Sequence, residues 1–453
     1  MENSALRAPD SLGTLGGGEE RRRRRNYFVC LLCGLGLGFS YVTLGSPLIR
    51  SSSGGTRGGR KAASDHWEPV RGWDPAKKAT HPYPYSLEPV PSSIDFTSWT
   101  APGGGRFAEY AAGGTPWIVT NETRTRSDEQ ARSRRVHIRN AMKFAWAGYA
   151  RYAFGSDELL PQTKSSNNIW GGMGTTLVDS LDTLWLMDMK NEFWQARDWI
   201  RDHLTHEQAG TVSVFETTIR SLAGLLSAYD WSRDEVFLDG AKDLGDRLIK
   251  AFEGSKSAIP NGRVDLRTGQ SRNSRQTFGY AVMAEGTTLQ LEFRYLAKIT
   301  GQRDYATKVE RVFEVYNEIA PKNGLFPSLV NSKVDPPVFG NNRLTFGAMT
   351  DSFYEYMLKV WLQGGRKEQM YRDMYDKSIQ GMHDELLQTS TPSGLTYIAN
   401  KNNGKLSHNM GHLCCFMGGL LALGAYTDPL GLESERAQRD LKTAKVSCIV
   451  NCW

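Results

Sequence analysis

The sequence predicts an all-α domain of successive helical hairpins behind an N-terminal membrane-spanning segment. Three observations lead there. Apolar residues recur at three- and four-residue steps through most of the chain after about residue 132, strand signals are few and short, and one uncharged stretch near the N-terminus has the length of a bilayer crossing. With 453 residues, 40% hydrophobic and 11% aromatic, the chain can bury a substantial core.

Taken in order, residues 1–26 read as a cytosolic tail ending in the run Arg21 to Arg25. Those five charges account for most of the formal net charge of +6, and the remainder is near neutral, so the composition carries no nucleic-acid footprint. Tyr27 to Ile49 contains no charged residue and fits the ~20 residues needed to cross the hydrocarbon core. Its length and the lack of a distinct cleavage motif favour an anchor over a cleaved signal peptide. The adjacent Arg run stays cytosolic by the positive-inside rule, which makes the protein a type II membrane protein with everything after Arg50 in the lumen.

Residues 50–126 are rich in Gly, Ser and Pro without sustained periodicity and read as a lumenal stem, with an N-glycosylation sequon at Asn121-Glu-Thr. Of the six cysteines, Cys30 and Cys33 fall inside the expected span. Either of Cys414 and Cys415 could pair with Cys448 or Cys452 in an oxidising compartment.

Beyond the stem the helical stripes follow one another: Met142, Trp146, Tyr149, Ala153; Leu177, Leu181, Leu184; Phe193, Ala196, Ile200, Leu204; Phe215, Ile219, Leu222, Leu226; Phe237, Ala241, Leu244, Leu248. The same spacing returns at Leu289, Phe293, Leu296; at Tyr305, Val309, Val312, Tyr316; at Tyr354, Leu358, Trp361; and at Leu413, Phe416, Leu420. Gly and Pro punctuate the series, as at Gly155, Gly301 and Gly364-Gly365. Hairpins that each bury one face must stack as a solenoid or close into a ring, and periodicity does not choose between the two.

The chemistry narrows by elimination. The eight histidines are scattered with no H-x-x-x-H pair on a predicted helix, and the lumenal part has no C-x-x-C, which argues against zinc. WGGMG does not follow a strand and lacks the Lys-Ser/Thr of a phosphate-binding loop, and no G-x-S-x-G turn occurs.

What remains is a set of carboxylates in apolar helical context. Glu216 lies between Phe215 and Ile219, with Arg220 one turn on and able to pair with it. Glu285 opens another helix, with Glu292 on the same face two turns later, and Asp351 and Glu355 lie one turn apart among Phe353, Tyr354 and Tyr356. Singly, such residues are usually first-turn acids or solvated surface pairs. Three helix starts sharing the feature beside aromatic rings suit glycoside hydrolysis, where two acids divide the work. Asp179 and Asp182 read as capping or inter-helix hydrogen-bonding groups, and His412 as a satisfied core histidine.

At these residues the sequence resembles the class I α-mannosidases of glycoside hydrolase family 47. The segments GTTLVDSLDTLWLM, EFWQARDWI, SVFETTIRSLAGLLSAY, AEGTTLQLEFRYLAKITG, LTFGAMTDSFYEYMLKVWLQGG and MGHLCCFMGGLLALGAY carry the resemblance over about Ser133 to Lys445. It implies a catalytic domain over 127–445 with an (α/α)7 barrel fold, in the endoplasmic reticulum or Golgi. The implied activity is inverting, calcium-dependent trimming of α-1,2-linked mannose from high-mannose N-glycans. By position, Glu216 matches the family's acid, acting on the leaving oxygen through a water, and Asp351 matches a second catalytic carboxylate. Arg220, Glu285 and His412 match residues lining the sugar site, and Cys415 is the implied disulfide partner of Cys448 or Cys452. Met349 stands two residues before Asp351, where the family tends to carry Arg in its endoplasmic-reticulum enzymes and Leu in its Golgi ones. Its apolar side chain leans towards the Golgi type and leaves the compartment open.

The resemblance stops after Lys445, and residues 446–453, VSCIVNCW, read as a divergent tail. Two further family acids, one after Gly-Leu-x-Pro and one in an Arg-Pro-Glu segment, have no counterpart, nor has the Thr whose oxygens hold the calcium. The sequence thus leads us to expect a barrel incomplete at its C-terminus, no metal ligand, and little or no hydrolase activity from this chain. The alternative from another class is a non-catalytic glycan-binding or unstable truncated membrane protein.

Overall fold

The computed structural model describes residues 27–29, 41–43, 121–207, 210–392 and 394–450. Tyr27–Val29 and Tyr41–Thr43 pair antiparallel and belong to a unit of their own. The rest of the expected anchor 27–49 lies outside the described residues, as do the Arg run and nearly all of the stem. Among the described residues no helix is long and apolar enough to cross a membrane.

The second unit is built mainly of helices. A long helix α1 spans Asn121–Ala153, so the last residues of the 50–126 stretch are already helical and the sequon Asn121 opens that helix. Then come α2 (Thr175–Asp179), α3 (Leu181–Leu186), α4 (Lys190–His203) and α5 (Val214–Thr217). A π-turn over Thr218–Leu222 joins α5 to α6 (Ala223–Ser232), and α7 follows at Glu235–Leu248. The series continues with α8 (Met283–Thr287), α9 (Gln290–Thr300), α10 (Arg303–Glu318), α11 (Asp351–Gln363), α12 (Gln369–Glu385), α13 (Met417–Tyr426) and α14 (Glu435–Val450).

The hairpins form because tight, capped turns reverse the chain between apolar stripes. Between α6 and α7, Arg233 adopts the left-handed conformation and the Asp234 side chain accepts the Val236 N–H at 3.0 Å. Arg197 of α4 pairs with the same Asp234 at 2.8 Å, tying one hairpin to the next. Helices α3, α6, α9 and α11 are successive neighbours, while α4, α7, α10 and α12 return the chain alongside them. Since each pair is antiparallel, the members of the first row run parallel and their N-terminal ends gather at one end of the array.

Apolar faces fill the space between the rows in two contiguous clusters, one around Phe193, Trp194, Phe237 and Phe293, the other around Phe313, Tyr316, Phe353 and Trp361. Contact is close where side chains are small: a Cβ on Gly224 of α6 would stand 2.5 Å from the Val178 carbonyl oxygen of α2.

Two sequence expectations are corrected. Glu285 and Glu292 do not share one continuous helix: α8 ends at Thr287 and α9 starts at Gln290. The adjacent β-branched Thr287 and Thr288 turn their hydroxyls to the Met283 carbonyl and to Ser352 instead of continuing the helix. The unit is also not purely helical. Short strand triplets precede the helix starts: Thr211–Ser213 with Arg263–Asp265 and Ser271–Arg272, leading into α5; and Ala281–Val282 with Leu329–Asn331 and Val338–Phe339, leading into α8. These strands are two or three residues long, too short for a period of two to show in the sequence.

A buried ionic ring closes the last described hairpins. Arg372 of α12, 1% exposed, donates to Asp376 at 2.9 Å and lies 3.3 Å from Asp428, while Arg436 of α14 bridges Asp376 at 2.7 Å and Asp428 at 2.6 Å. The Arg372 guanidinium also lies over the Trp361 and Tyr375 rings, 5.1 and 5.4 Å from their centroids. Removing one cation from such a ring strands buried charge, at a cost of about 3–5 kcal/mol. Arg372→Ala is expected to lower unfolding stability by that amount in a denaturant titration, and a loss below about 1 kcal/mol would show that the ring does not hold α12 to α14.

Candidate active site

Of the carboxylates singled out in the sequence, Glu216 and Glu285 lie in the short helices α5 and α8 that lead into α6 and α9, and Asp351 opens α11. Ser213 caps α5, its hydroxyl accepting the Glu216 N–H at 3.2 Å, which places Glu216 in the first turn. Arg220 lies in the π-turn that follows, an element that recurs at functional sites. Its Nε and Nη2 both reach Glu216 Oε2 at 2.9 Å, and its Nη1 is 3.6 Å from Asp179 at the end of α2. The guanidinium is buried and lies 5.2 Å from the centroid of the Trp170 ring. The sequence-predicted Glu216–Arg220 pair therefore forms, and it is a partly buried junction of two elements rather than a surface pair.

Trp170 is positioned by a turn built around Asp157. That fully buried carboxylate accepts the backbone N–H groups of Trp170, Gly172, Met173 and Thr175 at 2.7–3.1 Å. Gly171, Gly172 and Gly174 all have positive φ there, which explains why WGGMG needs its glycines. Asp182 accepts the Ser227 hydroxyl of α6 at 3.1 Å, as expected of an inter-helix hydrogen-bonding group, and burial raises its pKa.

Glu285 sits in the first turn of α8. Its pKa rises to about 7, first because the site is largely closed to water and second because the Glu216 charge is near, with Arg263 acting in the opposite direction. The carboxylate lies against the backbone, so that a Cβ on Gly262 would meet Oε2 at 2.7 Å. Asp351 is the first residue of α11, and burial likewise raises it to about 7, against the N–H of Ser352 that donates to Oδ1 at 3.0 Å. The two helix starts are joined directly: the Ala284 N–H donates to the Met349 carbonyl at 2.9 Å, and Met349 is held at φ 87°. The Arg343 guanidinium reaches the Met349 sulfur at 3.6 Å.

Glu292 belongs elsewhere. It is buried between α9 and α11, accepts the Tyr356 hydroxyl at 2.7 Å and is raised to about 7 by burial. Glu355 pairs with Lys359 at 2.6 Å. His412 is exposed, which corrects the expectation of a core histidine: it opens the short 3-10 turn His412–Phe416 after Gly411, with the apolar side of that turn carried by the buried Cys414. Burial pushes the Cys414 thiol up, with Cys415 and the Asp351 charge adding to it, so this turn stands beside the start of α11. Of the cysteines implied as partners, Cys452 lies outside the described residues and Cys448 is described only as backbone of α14.

Sequence reasoning missed Arg263 and Trp170, and gave Asp179 no ionic partner. Only the register of a short strand brings Arg263 to Glu285, and contacts 50 and 41 residues apart bring Trp170 and Asp179 to Arg220, which no local pattern reports. Among the described residues no group of three or more His, Cys, Asp or Glu side chains is placed to hold a metal ion.

Carboxyls of unlike environment, gathered at one mouth with a guanidinium and an aromatic ring, are the equipment of a glycoside hydrolase. The chain belongs to glycosyl hydrolase family 47, whose model matches residues 141–449. It is 44% identical over 301 residues to a mannosyl-oligosaccharide 1,2-alpha-mannosidase of Arabidopsis thaliana, covering 66% of this chain and 53% of that protein. It is 41% identical over 301 residues to the endoplasmic reticulum mannosyl-oligosaccharide 1,2-alpha-mannosidase of Homo sapiens, covering 66% and 42%. The chain thus spans about half the length of the curated relatives it matches. The solved alpha-1,2-mannosidase from Trichoderma reesei superposes with a TM-score of 0.62 at 26% identity, covering 70% of this chain and 66% of that one.

The raised carboxyls bear on stability. Folded Glu285 and Asp351 keep their protons to about pH 7, whereas the unfolded chain releases them near the ordinary carboxylate values of 4.5 and 3.8. Their contribution is therefore complete at low pH and is lost as pH rises towards 7, by roughly 3 kcal/mol for Glu285 and roughly 4 kcal/mol for Asp351. The thermal midpoint is expected to fall between pH 5 and 8 by more in the wild type than in Glu285→Gln or Asp351→Asn. Equal pH slopes in all three proteins would contradict the burial of these acids.

Proposed function

We propose that this chain is a mannosyl-oligosaccharide α-1,2-mannosidase that trims high-mannose N-glycans in the lumen of the endoplasmic reticulum or Golgi. The observation that carries the reading is the meeting of the Glu216–Arg220 pair with Glu285, and of Glu285 with the start of α11, at one end of the parallel helix row. Membership of the family and the activities named for its relatives support the same substrate class. The likeness to a solved α-1,2-mannosidase supports placing the hairpins in an (α/α)7 barrel. The uncharged stretch 27–49 after the Arg run supports a type II anchor.

In this reading an inverting hydrolysis needs one carboxyl to protonate the leaving oxygen and another to draw a proton from water on the opposite face of the sugar. Glu216, fixed by Arg220, directs a water at the glycosidic oxygen, in a mouth where Glu285 still holds a proton near neutral pH. Asp351 is the second catalytic carboxylate. Arg220, Glu285 and the exposed His412 bind sugar hydroxyls, and Trp170 offers a ring beside Arg220.

The test is mannose release from a high-mannose oligosaccharide, with binding of the same oligosaccharide followed in parallel. Glu216→Gln and Asp351→Asn are expected to lower kcat about 10²- to 10⁴-fold with KM changed only a few-fold, and Arg220→Ala to weaken binding. Oligosaccharide binding without release above the Glu216→Gln and Asp351→Asn controls would replace the hydrolase by a glycan-binding protein. No binding at all would sink both.

A further inference from the structure

Antiparallel register places Ser213 opposite Arg263, and Arg263 opposite Arg272, across the strand triplet that leads into α5. Residues directly opposite project from the same face, so the row Ser213, Arg263, Arg272 starts at the cap of the Glu216 helix and runs outward. Two like charges facing each other across a ladder destabilise it unless something compensates. Here the segment 263–275 holds four arginines and one aspartate. That aspartate, Asp265, is turned into its own hairpin, accepting the N–H groups of Arg267 and Thr268 at 3.1 and 2.8 Å. Arg263, Arg272 and Arg275 are exposed and form no ion pair among the described residues.

The turn beyond Arg272 is pre-built. Buried Asn273 accepts the Gly262 N–H at 2.9 Å and donates to the Gly279 carbonyl and to Ser332 at 3.2 and 3.3 Å. Lys333 closes over it, its Nζ 3.2 Å from where a Cβ on Gly279 would stand. Arg263, Arg272, Arg275 and Lys333 thus border a turn pinned by Asn273, and Arg263 at its inner edge acts on Glu285.

We propose that the Arg263–Arg272 face is an anion subsite beside the carboxylate mouth, and that it takes a phosphoryl group carried on a mannose residue of the oligosaccharide. The subsite rests on the mannosidase reading for its sugar but not for its charge. Guanidinium groups donate in paired geometry to phosphate oxygens, whereas the neutral hydroxyls of an unmodified glycan leave the cross-strand repulsion uncompensated.

The test titrates the full chain at low salt with mannose, mannose 6-phosphate and inorganic phosphate. Mannose 6-phosphate is expected to bind at least about tenfold more tightly than mannose, with the advantage reduced by added salt. Arg272→Gln should erase that advantage while leaving mannose binding unchanged and without lowering the thermal midpoint, and Lys333→Gln should reduce it. Equal binding of mannose and mannose 6-phosphate, or an advantage that survives in Arg272→Gln, overturns the proposal. Inorganic phosphate binding as tightly as mannose 6-phosphate assigns the face to a free anion and overturns the glycan assignment. Failure of the mannosidase reading shows separately: mannose is not bound while phosphate binding stays Arg272-dependent, which keeps the anion site and removes its sugar.

Discussion

A helical hairpin with one apolar face can bury that face only against another hairpin, and the arrangement of this protein follows from that constraint. Repeating the antiparallel unit makes every second helix parallel. The N-terminal ends of α5, α8 and α11 thereby gather at one mouth, and with them Glu216, Glu285 and Asp351. The site is a by-product of the packing rule, sharpened by the short strands that deliver the chain to each helix start.

Two effects compete for the charge of those carboxyls. A helix N-terminus favours an anion by about 0.3–1 kcal/mol, up to ~2 kcal/mol when partly buried. Burial acts the other way, and raising Glu285 from 4.5 to about 7 corresponds to roughly 3 kcal/mol. Burial wins at Glu285 and Asp351. Glu216 instead meets the Arg220 guanidinium at 2.9 Å. Acids in unlike surroundings then stand within one mouth, the condition for dividing acid and base work.

Arginine holds the assembly at several levels. Arg197 links hairpins through Asp234, Arg372 and Arg436 close a buried ring with Asp376 and Asp428, and Arg220 joins α2 to the π-turn after α5. In each case the guanidinium satisfies more than one partner. The exposed arginines of the 263–275 segment lack such partners among the described residues, and that contrast separates a structural cation from one available to a ligand.

The helical stripes, the hairpin punctuation and the Glu216–Arg220 pair were legible from sequence, because a 3.6-residue period and an i,i+4 contact are properties of neighbouring residues. The expected exchange of a hydrogen bond between Asp182 and a neighbouring helix was legible too, since a buried acid must find a donor. Three features were decided only by tertiary structure. The exposure of His412 depends on which side of a five-residue turn meets the core, the break at Thr288 on the Ser352 hydroxyl 64 residues away, and the approach of Arg263 to Glu285 on the register of a three-residue strand. Proton affinity belongs to the same group. It is set by how much water the assembled rows exclude, and exclusion of water is a property of the fold as a whole, which no local pattern in the chain encodes.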